Sequence, residues 1–167
     1  MKTSEHSKCK PLSIALAVDN QTRKIITFEV SQIPADGLLA KIALKKYGFR
    51  ENKREEGLRK LFQTLKPVVA ESSTIMSDEW GTYRGHVKRT FPNANYKQVK
   101  SRRGCVVGQG ELKKTGFDPL FSLNHTCAMI RANVNRLFRR TWCTIKKRER
   151  LIDHLSLYVN FHNQVLT

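Results

Sequence analysis

Acidic residues are scarce in this chain: 14 Asp and Glu stand against 31 Lys and Arg, a formal charge of +17 over 167 residues. The shortage is sharpest between residues 84 and 150, where 17 Lys or Arg meet only Glu111, Asp118 and Glu149. An excess of this sign draws in a polyanion, and the binding weakens as salt rises because each neutralised phosphate releases counterions. Nucleic acid is the expected partner. Long apolar runs are missing too: nothing approaches the about eighteen consecutive apolar residues of a membrane span, and residues 1 to 10 hold no signal-peptide core. A soluble, cytoplasmic protein with no membrane partner is the expectation. The four cysteines, Cys9, Cys105, Cys127 and Cys143, form no C-x-x-C pair, which excludes a zinc ribbon and a dithiol redox motif and leaves plain reduced thiols. Stacking aromatics are few in the basic segment. Tyr96, Phe117, Phe121, Phe138 and Trp142 fall mostly at core-like spacing, so an RNA-binding or ribosome-associated protein has only net charge in its favour.

With 40% hydrophobic residues the chain can bury one core, and a single domain over residues 1–167 is the default. The apolar run PLSIALAVD, the turn-like DNQT and the β-branched RKIITFEVS read as a hairpin with Asp19 at its turn. GLLAKIALKKYG has helical spacing and stops at Gly48. In LRKLFQTLKP, Leu58, Leu61, Phe62 and Leu65 fall at i, i+3, i+4 and i+7 before Pro67, the pattern of an amphipathic helix. VVAESSTIMSD returns to extended character and ends at Asp78; a short helix, a turn and a strand in NYKQVK follow. Residues 101–117 are basic and glycine-rich without a sustained period, which predicts a loop or insertion. Two long helices close the chain. The first keeps Ile130, Val134, Leu137 and Thr141 on one face, and the second keeps Leu151, Leu155 and Tyr158. The order predicts an α/β or α+β layered domain.

A carboxylate at a strand end beside a basic surface is what two-metal phosphoryl transfer uses, since Mg²⁺ takes oxygen ligands and two ions stabilise both the attacking and the leaving oxygen. Asp78 fits that description. On spacing alone it fits equally well as the cap of a helix beginning at Glu79 or Trp80. Asp19 and Asp118 read as turn residues.

Three stretches resemble the DDE-type transposases of small bacterial insertion sequences, the group of insertion element one and its relatives: KCKPLSIALAVDNQTRKIITFEVS, STIMSDEWGTYRGHVKRTFPNANYKQV and FSLNHTCAMIRANVNRLFRRTWCTIKKRERLIDHLSLYVNFHN. The resemblance implies a ribonuclease-H-like mixed sheet flanked by helices, binding Mg²⁺ or Mn²⁺ through acids on the first and fourth strands and a residue on a late helix. It implies cleavage and joining of double-stranded DNA at transposon ends and target. The expected location is the bacterial nucleoid, and a homo-oligomer is an expected partner. Asp78 matches the family's second acid. Asn124 falls where the third stands, as in some relatives, and an amide oxygen still serves a metal; by propensity alone Asn124 reads as a helix N-cap. Arg131, seven residues on, lies on the same helical face and matches a basic residue the family keeps. Arg131, Arg136, Arg139, Arg140, Lys146 and Lys147 are the candidate DNA contacts. The family's first acid sits in an Asp-Glu pair upstream of E-H-S-K-C-K-P-L, and this sequence opens MKTSEHSKCKPL. The expectation is a catalytic-domain fragment with an incomplete acid set, or, alternatively, a non-enzymatic basic DNA-binding protein that interferes with full-length transposase.

Overall fold

The computed structural model describes residues 1–100, 118–137 and 147–166. The loop expected over 101–117, and Arg139, Arg140 and Lys146, lie outside the described residues. The chain is mixed α/β. Strands β1 (Lys2–Ser4), β2 (Pro11–Val18) and β3 (Ile25–Gln32) form an antiparallel sheet in that order. Leu12 faces Gln32 and Leu16 faces Phe28 across the β2–β3 ladder, which shifts by one residue between Ala17 and Val18.

Side chains alternate across β2, and both of its faces are covered, which is why PLSIALAV is apolar at every position but Ser13. Leu12 and Ile14, with Leu16 and Val18, belong to a core completed by α4 (Phe121–Asn133) and α5 (Arg148–Phe161) through Ile130, Leu151, Leu155 and Tyr158. Ala15 and Ala17 point the other way. They meet a second core made by Leu58, Leu61, Phe62 and Leu65 of α2 (Arg54–Leu65) and by Val87 and Phe91 in and after α3 (Thr82–Thr90). The expected α2 stripe is therefore buried as spaced. Small side chains on this face let α2 come close, and Gly57 comes closest: a Cβ there would land on the Ser31 hydroxyl of β3.

Strands β4 (Thr74–Ser77) and β5 (Asn95–Gln98) run parallel, with Ile75 opposite Tyr96, and α3 is their crossover. The expected hairpin turn is present. Asp19 accepts from the Thr22 hydroxyl at 2.6 Å and the Gln21 N–H at 3.1 Å, which holds its carboxyl below the usual range. Helix α1 (Leu38–Tyr47) forms as spaced, yet its apolar side is open: Leu38 is 94% exposed, and Ile42 and Leu44 are exposed as well.

The last third departs from the expected pair of helices. Helix α4 starts at Phe121 and ends at Asn133, whose side chain donates to the Met129 carbonyl at 2.8 Å and competes with the backbone there. Val134 is extended, and Leu137 sits in a single 3-10 turn (Asn135–Leu137); both are still buried. After α5 the motif Y-V-N-F-H-N acts as a clamp. Asn163 accepts from the Ile25 N–H at 2.8 Å and donates to the Ile25 carbonyl at 2.9 Å, while His162 Nε2 lies 3.2 Å from the Arg23 carbonyl.

Candidate functional site

Asp78 follows the last residue of β4 and is exposed. The strand end is fixed by Ser77, whose hydroxyl donates to the Asp78 carbonyl at 2.8 Å and lies 2.7 Å from the Tyr96 hydroxyl of β5. The Asp78 carboxylate accepts the Trp80 N–H at 3.3 Å, a local turn contact. It does not cap a helix: α3 begins at Thr82, its N-cap is Gly81, and no side chain bonds to that cap. The capping alternative and a helix start at Glu79 are both corrected by this placement, since the chain needs the turn Glu79–Gly81 to leave the strand.

Three elements converge near Asp78. The Tyr83 phenol is pushed up to about 12, chiefly by burial and next by the Asp78 charge, while Arg54 pulls it back and Cys127 adds to the rise. The Met1 amino group donates to the Ile14 carbonyl at 2.6 Å. Burial lowers its pKa, and it lies within electrostatic reach of Cys127, Arg131, Arg54 and Asp78. The end of β4, the start of α2 and one face of α4 thus share a neighbourhood. Cys127, buried enough to raise its thiol, is a poor nucleophile there.

Asn124 is exposed on α4, one turn before Cys127. It is not the N-cap. Its own N–H donates to the Leu120 carbonyl at 2.9 Å, and its side-chain amide donates to Asp118 at 2.9 Å. Asp118 also accepts the Leu120 N–H at 3.0 Å, so the turn role expected of Asp118 serves the start of α4. Arg131 lies two turns after Asn124 and is half-buried; Arg136 is in the 3-10 turn, and Lys147 is exposed at the start of α5.

Sequence reasoning did not single out Arg54, Trp80 or Tyr83. Arg54 opens α2, and its guanidinium sits 4.8 Å over the Trp80 ring, which itself meets Tyr83 edge-on at 5.1 Å. No spacing rule signals this, because the contact forms only when α2 docks beside β4. A cavity of about 440 Å³ opens nearby between α3 and β5, with Arg84 and Lys88 at its rim and Phe91 and Tyr96 in its wall.

The donor set fits a divalent ion poorly. Asp78 offers a carboxylate and Asn124 an amide oxygen, Arg54 and Arg131 share the neighbourhood, and among the described residues no three His, Cys, Asp or Glu converge. A hard cation takes six or more oxygens, so these two leave most positions to other sources. Among the described residues no helix is long and apolar enough to cross a membrane. No family model, curated protein or solved structure matches the chain.

Proposed function

We propose that this chain is the catalytic-domain portion of an insertion-sequence transposase with a ribonuclease-H-like core, and that its described residues serve to hold double-stranded DNA against the end of β4. The observation that carries the reading is the convergence of Asp78 with Arg54 and with the Cys127–Arg131 face of α4. A phosphodiester backbone suits such a place: two guanidiniums neutralise phosphate, and a strand-end carboxylate stands beside them. Asp78 and Asn124 are the oxygen donors the resemblance implies for Mg²⁺ or Mn²⁺, and by themselves they do not complete a divalent site.

The test is binding of a labelled duplex across a salt series, with plasmid nicking in Mg²⁺ and in Mn²⁺. If Arg54, Arg131, Arg136 and Lys147 each neutralise one phosphate, log K falls against log salt with a slope of about −3.6. Salt-sensitive binding with little or no nicking is the expected outcome. Binding that ignores salt, or robust nicking by this chain, overturns the reading as stated. The incomplete oxygen set also favours a second reading, a non-enzymatic DNA-binding protein that interferes with full-length transposase. Asp78→Ala separates the two: any residual nicking vanishes with affinity unchanged if Asp78 is a ligand, whereas a pure binder has no nicking to lose.

A further inference from the structure

We propose that Arg54 is a phosphate-binding residue of this site, seated on Trp80 to receive a backbone phosphate of bound duplex DNA beside Asp78. The inference deepens the DNA-binding reading above and rests on it. Arg54 Nε is buried and has no hydrogen-bond partner. A buried donor left unpaired costs as much as its lost hydration, so such a group calls for an acceptor. The carboxylates at hand do not supply one. Asp36 is taken by Lys2 at 2.8 Å, Asp78 turns its carboxylate to the Trp80 N–H, and Arg54 forms no ion pair among the described residues. The helix carries Glu55 and Glu56 in its first turn, but Glu56 pairs with Lys60 at 2.8 Å and Glu55 lies 3.5 Å from His86.

The Trp80 ring supplies the other half of the argument. A guanidinium over an indole is held by its face, and since Nε is buried it is the terminal Nη1–Nη2 pair whose planar fork is left to match two phosphate oxygens. Trp80 stands two residues after Asp78 and is fixed by the turn Asp78 makes. The seat and the carboxylate therefore move together. Arg131, on α4, lies with Arg54 within electrostatic reach of the Met1 amino group, which puts both guanidiniums at the same end of the fold.

The experiment titrates the chain with a short fluorescein-labelled duplex, reading the DNA by anisotropy and the indoles by intrinsic emission, with Trp142→Phe isolating Trp80. Trp80 emission is expected to change in step with anisotropy. Arg54→Gln is expected to weaken binding about tenfold, the scale of one charge-assisted hydrogen bond, and to make the salt slope shallower by about 0.9. Arg54→Lys keeps the slope and loses affinity, because it keeps the charge without the fork. Wild-type affinity and slope in Arg54→Gln, or flat Trp80 emission while anisotropy saturates, overturns the role of Arg54 and leaves DNA binding standing. No anisotropy change at low salt overturns DNA binding itself. Should Arg54→Gln fail to fold, the emission of the Trp80-only chain still decides.

Discussion

Replacing Gly57 by alanine tests the close approach of α2 to the sheet, on which the placement of Arg54 depends. Two opposed terms act. Glycine inside a helix costs about 1 kcal/mol relative to alanine, so the substitution by itself favours the helix. Against that, the new methyl would strike the Ser31 hydroxyl and sit 3.2 Å from both Ser31 Cβ and Glu29 Cγ. Ser31 is only 5% exposed, which leaves its hydroxyl little room to swing aside. Forcing a methyl into filled space costs about 1–3 kcal/mol, so Gly57→Ala should lose up to about 2 kcal/mol net. For a chain of this size that is a fall in Tm of about 4–8 °C, read by thermal circular dichroism. Ser31→Ala removes the atom that is struck, and the double variant should recover most of the loss. A Gly57→Ala chain at least as stable as the wild type, or a double variant whose losses simply add, would refute the packing argument.

Two further outcomes follow from the same contacts. Asn163→Ala strips the Ile25 N–H and carbonyl of their side-chain partner, and should cost about 2–3 kcal/mol in urea unfolding with an unchanged m-value, with Asn163→Asp intermediate because it keeps only the acceptor. Tyr83 titrates near 12 in the folded chain against 10.0 in the unfolded one, so the fold prefers the neutral phenol. The stability this gives is complete below pH 10 and is lost as pH climbs from there toward 12. Asp78→Asn removes the second cause of the rise and should bring the phenolate absorbance midpoint down. A midpoint that stays put would separate Asp78 from Tyr83.

What the sequence reveals tracks how local each cause is. Helix α2 is legible because Leu58, Leu61, Phe62 and Leu65 form one uninterrupted stripe and all are buried. Asp78 is legible as a strand end because the extended stretch VVAESSTIMS stops there. The stripe through Ile130, Val134 and Leu137 misleads about length, since an apolar pattern records burial rather than backbone: all three reach the core, but the helix stops at Asn133. Asn124 misleads about capping because Asp118 already secures the start of α4 three residues earlier. The spacing in GLLAKIALKKYG predicts α1 and is silent on its burial, since helical period does not say whether a neighbour exists: Leu38 and Ile42 are exposed. Arg54 is invisible in a run of charges, as its partner Trp80 is 26 positions away in sequence and meets it only through tertiary packing.

The two faces of β2 explain why this end of the fold collects cations around a single acid. On one side Ala15, Ala17 and Gly57 take little space, so α2 sits low and its first residue reaches the end of β4. On the other side Leu12 and Ile14 meet Ile130, which is fully buried at 0% exposed and fixes the rotation of α4. With Ile130 turned inward, Cys127 and Arg131 fall on the face that shares the Met1 and Asp78 neighbourhood. Each guanidinium is thus set by a different core, while Asp78 is set by the Ser77–Tyr96 contact between β4 and β5. Among the charged side chains within reach of the Met1 amino group, Arg54 and Arg131 outnumber Asp78, and that excess favours an anion over a bare cation.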